Sequence, residues 1–432
     1  MYRVGLYTLG CKVSQYETEA VGEEFEKNGF LVCSPNEVCD VYAINTCTVT
    51  AESDRKSRQT VRRAKKQNPD ACIVVFGCYS QRSPEEVAAI EGVDMVFGTQ
   101  LKTEIPEAVE RFLKGERGEK IRVTSLEGAR FEPMCLTTHR RTRAYVKIED
   151  GCECRCSYCA ISAARGPVRS KPACEVISEV EELARRGTRE VVLTGIETGS
   201  WGRDLDTDMD LADLIVLLDK RKSVSRLRLG SLAPELCGEK FASKLIGTKI
   251  MVPHFHLSMQ SGSDRILALM RRRYTCARAL ENIERLREVF PGACFTTDLM
   301  VGFPGETEED FLATMELVRR ARFLDVHVFA YSKREGTPAA TMEGQVPSDI
   351  KKERSRRLTE LKNQVRDGVL SEIVARAEPL DVILETYSDG AYTAHSDSFA
   401  EICVAYPRGH EGEELKVLPV SHKNGIITAK AL

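Results

Sequence analysis

The chain has 432 residues, 42% hydrophobic and 29% charged, with a formal net charge of −3, which fits a globular protein of two or three domains and excludes a globally basic nucleic-acid binder. No run of 18 apolar residues occurs, and the N-terminal MYRVGLYTLGCK lacks a basic segment followed by a long apolar stretch, so neither membrane insertion nor secretion is expected. Sixteen cysteines in such a chain belong in a reducing compartment, where they serve as metal ligands or buried thiols, and a cytoplasmic location is expected.

From residue 1 to about 115, short β-branched runs alternate with helical patterns. VYAINTCTV (41–49) and CIVVFGC (72–78) read as buried strands, and periodicity predicts helices over 15–28, 52–67, 84–91 and 103–114. Such alternation argues a parallel α/β sheet. Cys11 follows a strand in YTLGCKVSQYET, Cys47 ends one in AINTCTVT, and Cys78 ends one in VVFGCYSQ. Parallel strands would bring all three thiols to one edge, where loops can hold an ion or a cluster, although each cysteine alone also reads as a small buried residue. Just after Cys47, Arg55, Arg58, Arg62 and Lys66 recur at three- or four-residue spacing and line one face of a helix. That face is either merely solvated or a contact for phosphates.

Residues 116–138 lose periodicity, contain Gly and Pro, and read as a linker. From 139 to 368 the alternation resumes, with EVVLTGI, RLRLGSL, HFHLSMQ, FTTDLMVGF and DVHVFAYS as strands, which suggests a full or partial (β/α) barrel carrying its chemistry at the C-terminal strand ends. Near its start, GCECRCSYC sets Cys152, Cys156 and Cys159 in a CxxxCxxC pattern. A [4Fe-4S] cube on three thiolates leaves one iron open to a small molecule. A structural zinc site drawing on Cys154 is the alternative, but zinc sites usually use two separated pairs and there is no second CxxC. Cys154 breaks the triplet spacing and reads as a non-ligand. His254 and His256 alternate on HFHLS and are assigned no role.

The last sixty residues contain DVILETY, AYTAHSD and FAEICVAY, separated by turn signals, as in a small all-β module. Charge is unevenly spread, since residues 371–432 carry ten acidic against five basic side chains and the remainder 57 basic against 55 acidic. Within that remainder, Arg and Lys concentrate at 55–66, 140–147, 271–273 and 351–357. Local patches of this kind can hold phosphates.

Several stretches resemble a known family. KIEDGCECRCSYCAISAARG is similar to the cluster loop of radical S-adenosylmethionine (SAM) enzymes. TLGCKV, NTCTVT, KSRQTVRRA and GCYSQ, with LTGIETGSWGRDL, PHFHLSMQSGSD, TTDLMVGFPGETEEDF and HVFAYSKREGTPAA, are similar to the tRNA methylthiotransferases, and more narrowly to the branch acting on threonylcarbamoyladenosine. The resemblance implies an α/β chain with a flavodoxin-like N-terminal domain over 1–115 bearing an auxiliary cluster, a radical SAM partial (β/α) barrel over 139–368, and a C-terminal TRAM module over 369–432.

It also implies two [4Fe-4S] clusters, one on Cys152, Cys156 and Cys159 and one on Cys11, Cys47 and Cys78. The implied reaction replaces the hydrogen on carbon 2 of adenine 37 with a methylthio group and uses two SAM molecules per product. That C–H bond has no useful acidity, so a radical is the practical route. The implied partners are a tRNA anticodon stem-loop and an electron donor such as a flavodoxin-type protein. SAM needs polar partners at the strand ends, for which Gly195, Glu197 and Gly199, then Ser258, Gln260 and Ser261, then Asp298 and residues 302–306 are candidates, with Tyr158 packing on its adenine. Tyr387, Tyr392 and Phe399 could stack on bases, although TRAM domains are associated with RNA binding and this one is acidic. The rival readings are the isopentenyladenosine enzyme, the relative that modifies a ribosomal-protein aspartate, and a non-catalytic iron–sulfur RNA-binding sensor. SAM binding separates the last from the others.

Overall fold

Val41–Thr46 and Cys72–Gly77 are buried at every position, as strands covered on both faces must be. In the computed structural model, which describes residues 1–48, 50–116, 118–139 and 141–432, they centre a six-stranded parallel sheet. Its order runs Leu31–Cys33, Arg3–Thr8, Val41–Thr46, Cys72–Gly77, Met95–Phe97, Ile121–Arg122. This is the flavodoxin-like order with one strand added at the edge. The strand expected over 41–49 stops at Thr46, and its last residue lies outside the described ones.

The helix expected from residue 15 begins three residues earlier, at Lys12, because the turn after Arg3–Thr8 leads directly into it with Cys11 at the N-cap. Ala51–Gln67 follows its expectation, capped by the Thr50 hydroxyl, which accepts from the Ser53 amide. The expected 84–91 helix shortens to Pro84–Ala88, and the 103–114 helix runs Ile105–Leu113 after a turn of 3₁₀ helix.

Residues 116–138 are no slack tether. Ile121–Arg122 supplies the edge strand, Met134 and Leu136 are buried in the main core, and the Glu23 carboxylate accepts from the amides of Thr137 (2.9 Å) and Thr138 (2.7 Å). Of the basic stretch 140–147, Arg140 lies outside the described residues.

Six parallel strands then curve into an open barrel: Arg143–Lys147, Glu190–Thr194, Arg226–Leu229 running through Gly230 into Ser231–Leu232, His254–Gln260, Cys294–Val301 and Asp325–Ala330. Helices such as Ala173–Arg185, Cys276–Val289 and Glu308–Ala321 cover its outside. The last helix, Ser348–Arg376, continues past residue 368 and buries Leu370 in the core of the C-terminal module.

That module is a closed five-stranded barrel of Leu380–Ser388, Ala391–Ser396, Glu401–Val404, Ile426–Ala431 and Glu414–Lys423. The sequence pattern missed its last two strands because Pro419 sits inside one of them, where the register shifts between Pro419 and Ser421.

The N-terminal sheet and the barrel are joined by a buried ion cluster. Glu17, on helix Lys12–Lys27, is fully buried. It accepts two bonds from the Arg165 guanidinium (2.6 and 3.0 Å) and one from Lys147 Nζ (2.7 Å), with Lys102 Nζ at 3.6 Å. Asp150 pairs with Lys147 at 2.7 Å, Arg165 at 3.2 Å and Arg169 at 3.4 Å. Burial alone would raise the Glu17 pKa, but Arg165, then Lys102 and Lys147, hold it well below the ordinary carboxylate range. Against the same burial penalty, Arg165 and Lys147 hold Asp150 at about 2.

Replacing Glu17 with Ala leaves buried cations short of a counter-charge, and urea unfolding of the anaerobic protein should lose about 3–5 kcal/mol. A loss below about 1 kcal/mol would mean that the cluster contributes nothing beyond an exposed ion pair. Depressed carboxyl pKa values contribute stability above the unfolded value of about 4, and that stability is lost as pH falls through the folded values. The urea midpoint of the cluster-free chain should therefore drop between about pH 4 and pH 2, and by less in Glu17→Ala.

Candidate active site

Three strand ends meet at the carboxyl edge of the N-terminal sheet. Thr8 pairs with Asn45 and Thr46 with Gly77, so the residues following these strands leave the sheet at the same level. Cys11 caps the helix after the first strand, Cys47 directly follows Thr46, and Cys78 opens helix Cys78–Arg82. Gly77 makes that last turn possible: its φ of +101° suits glycine, and a Cβ there would come within 2.4 Å of the Asn45 amide oxygen. The edge is wired to the barrel, since Arg165 Nε donates to Cys78 Sγ at 3.1 Å. Burial pushes the Cys78 thiol up to about 12, and the neighbouring Cys47 and Cys11 thiols act in the same direction against Arg165.

The second thiol set lies on the loop after Arg143–Lys147. The Cys152 amide donates to Gly166 O at 3.0 Å, and the Cys159 amide to Cys156 O at 3.1 Å, closing a tight turn. Arg272 Nη1 donates to Cys156 Sγ at 3.5 Å. Cys154 sits with Cys152 and Glu197, their ligand atoms all within 4.8 Å of one another. Its hydrogen bond with Cys152 lowers Cys154 to about 6, while burial, then Cys154, raises Glu197 to about 7. Cys154, expected to be no ligand, thus sits with Cys152, while Cys156 and Cys159 are not part of that group.

The barrel candidates divide by what their side chains already hold. Gln260 has φ +64° at a bulge, and its Oε1 is buried without a partner among the described residues; so is Glu197 Oε1. Gly195 packs so closely on Glu149 that a Cβ would come within 2.6 Å of the carboxylate, which also accepts from the Glu197 amide at 2.8 Å. The Ser258 hydroxyl meets that of Ser231. Asp298 receives His256 Nε2 at 3.1 Å; burial opposes its ionisation, but that bond leaves its pKa below the ordinary value.

Other candidates are engaged elsewhere. The Ser261 hydroxyl pairs with Thr314 and accepts from the Ser263 amide. Tyr158 packs into a small apolar cluster with Ile266, Met270, Phe303 and Tyr331. Glu306 locks its own loop, accepting from the Gly302 amide at 2.7 Å and from Arg354 at 2.6 Å.

Cys11 opens onto a cavity of about 810 Å³ that barrel strands and the C-terminal module also line. Cys11 and Lys12 form one wall and Thr194 and Gly195 another, while His254, His256 and Asp298 come from the barrel strands and Phe399 from the C-terminal module. Phe399 stacks on His254 (4.5 Å between centroids) and on His395 (4.8 Å), under the Arg228 guanidinium at 4.8 Å. Sequence reasoning assigned His254 and His256 nothing, yet their i, i+2 spacing with Ser258 puts all three on one face of the strand. Arg165 and Arg228 carried no readable signal, and Arg272 read only as part of the basic stretch 271–273, because their contacts come only from the tertiary structure.

On helix Ala51–Gln67, Arg55 pairs with Glu52, and Arg58 donates to the Tyr79 hydroxyl at 3.0 Å and lies 3.4 Å from Glu86. Arg62 and Lys66 are exposed and have no partner among the described residues. In the C-terminal module Tyr387 is 46% exposed, whereas Tyr392 is buried and donates to Gly409 O.

Residues 3–98 match the model of Uncharacterized protein family UPF0004, and residues 146–318 that of the Radical SAM superfamily. The chain is 39% identical to the threonylcarbamoyladenosine tRNA methylthiotransferase MtaB of Bacillus subtilis (strain 168), over 96% of this chain and 93% of that protein. It is 35% identical to the tRNA-2-methylthio-N(6)-dimethylallyladenosine synthase of Saccharopolyspora erythraea, over 86% of this chain and 77% of that one. Among solved structures, the radical SAM methyltransferase TsrM of Kitasatospora setae with bound cobalamin and [4Fe-4S] cluster shares the fold. Its TM-score is 0.59 at 16% identity, covering 78% of this chain and 74% of that chain.

Proposed function

The chain belongs to the radical SAM tRNA methylthiotransferases, and from that membership we propose that it adds a methylthio group to carbon 2 of N6-threonylcarbamoyladenosine at position 37 of tRNA. One observation carries the reading: Cys11, from the N-terminal sheet, and Thr194 and Gly195, from the barrel's strand ends, open onto the same cavity. A base lying there would meet the sheet edge that carries Cys11 and the strand ends of the barrel together, an arrangement a mere iron–sulfur sensor does not need.

In this reading Cys152, Cys156 and Cys159 hold the cluster that binds SAM, Cys11, Cys47 and Cys78 hold the auxiliary one, and 1–115, 139–368 and 369–432 are the three working units. When bound, two [4Fe-4S] clusters and two SAM molecules per product supply the electron, the radical and the methylated sulfur. The chain's own residues orient and insulate. Arg165 donating to Cys78 Sγ and Arg272 donating to Cys156 Sγ offset thiolate charge. The unpaired Gln260 and Glu197 oxygens suit the donor groups of a polar cofactor. Phe399 lines the cavity floor.

On the surface, Arg62 and Lys66 are the members of the basic stripe free to meet the phosphates of an anticodon stem-loop, while Arg55 and Arg58 must first leave Glu52 and Glu86. Among the described residues no helix is long and apolar enough to cross a membrane. A cytoplasmic site of action, with a flavodoxin-type protein as electron donor, completes the proposal.

Anaerobic reconstitution should load about eight irons per chain with little zinc, and stoichiometric zinc without iron would remove the basis of the scheme. Changing Cys152, Cys156 and Cys159 to Ala should abolish deoxyadenosine release. Changing Cys11, Cys47 and Cys78 should spare that release and stop methylthiolation. Full product from the second variant would refute the auxiliary assignment.

Arg62→Glu with Lys66→Glu should weaken tRNA binding and flatten its log–log salt slope by about one unit per lost phosphate contact. An unchanged salt series would return this helix face to plain solvation.

A further inference from the structure

The cavity wall carries more positive, unpaired hydrogen-bonding capacity than its own carboxylates use. Arg228 is 2% exposed, and its Nε donates to Glu190 at 2.8 Å, yet its Nη1 is buried with no partner among the described residues. Glu190 is already shared with Arg143 at 3.1 Å and Arg226 at 3.9 Å; those two also reach Glu385 and Glu414, whereas Arg228 has Glu190 alone. Lys12, half-buried on the opposite wall, has no carboxylate partner among the described residues. His254, 3% exposed, spends Nε2 on the Thr296 hydroxyl and leaves Nδ1 unmatched.

The acids of the same cavity are largely committed. Asp298 is held by His256, and Asp325 by Lys362 at 2.9 Å and Arg366 at 4.0 Å; Glu401 is exposed at the rim. A buried guanidinium with an open donor costs free energy unless something accepts from it. An occupant with a carboxylate would supply the missing acceptor.

Resting on the proposed reaction, we propose that Lys12 and Arg228, with His254 beside them, form an anion site that takes the carboxylate of the substrate's N6 substituent and so select threonylcarbamoyladenosine over bases with apolar N6 groups. Lys12 is a compact cation next to Cys11, at the mouth of the auxiliary edge. Arg228 is a fixed fork whose orientation Glu190 and the ring of Phe399 set. A substrate with a hydrocarbon tail would leave Lys12 and the Arg228 Nη1 donor without an acceptor, which is how a polar site rejects an apolar analogue.

The test uses reconstituted full-length protein and three synthetic anticodon stem-loops, bearing the threonylcarbamoyl group, its methyl ester, or an isopentenyl group. Equilibrium binding to the unreduced protein, by fluorescence anisotropy, and KM and kcat under turnover are both measured. The wild type should bind the free acid roughly 10- to 100-fold more tightly than the ester. Lys12→Met and Arg228→Lys should each lose most of that preference by weakening the acid while leaving the ester unchanged, as residues that act on the carboxylate must. Lys12→Arg should restore much of it. Iron content and deoxyadenosine release within twofold of wild type show that each variant is folded and loaded, and Arg228→Lys stands in if Lys12→Met loses its cluster. If both variants discriminate acid from ester as the wild type does, the anion site is refuted. If instead the wild type modifies only the isopentenyl stem-loop, it is the proposed reaction that fails.

Discussion

Glu17 and Asp150 grip Lys147 and Arg165 at a junction where almost nothing is exposed, and the spacing of the two thiol sets depends on that grip. Glu17 stands less than two helical turns after Cys11, so fixing its carboxylate fixes the helix whose first residues form the cavity wall. Arg165 belongs to the barrel, yet its Nε reaches Cys78 while its Nη atoms reach Glu17. A single guanidinium thus measures the distance between the sheet edge and the cluster loop. An apolar interface of equal area would stabilise as well, since buried ion pairs often add little net free energy. It would not fix register: greasy surfaces slide, whereas a bidentate guanidinium has one geometry.

How far the molecule could be read from its sequence follows from where each feature draws its meaning. Cys11, Cys47 and Cys78 were legible because strand ends in a parallel sheet must lie side by side, so topology alone gathers residues dozens of positions apart. Local spacing set Cys152 with Cys156 and Cys159, but only the fold shows Cys152 beside Cys154 and Glu197. Ser261 was not, because only the fold shows its hydroxyl spent on Thr314. Arg58 read as one of four equal cations, and its tie to Tyr79 depends on a helix twenty residues away. The open donor of Arg228 is the extreme case. RLRLG reads as an ordinary strand, and the crowding of three arginines on Glu190 exists only in the folded chain.

The C-terminal module's acidity, which counts against RNA binding when read as composition, has another use in the folded chain. Glu385 pairs with Arg143, and Glu414 lies 4.0 Å from Arg226, both at the base of the barrel. Part of the module's negative charge is therefore spent on the arginines that Glu190 cannot satisfy alone, and less of it faces outward than the sequence count implies. Those same contacts seat Phe399 against His254 and Arg228, in a φ of +74° that a bulky residue adopts only when its surroundings impose it. Arg143 and Arg226 each reach a carboxylate of the module besides Glu190, whereas Arg228 has Glu190 alone and lines the cavity. The acidic module and the cationic floor are thus complementary: the module's carboxylates share two of the three arginines with Glu190, and a domain that contributes only a handful of residues to the cavity's lining helps to set its polarity.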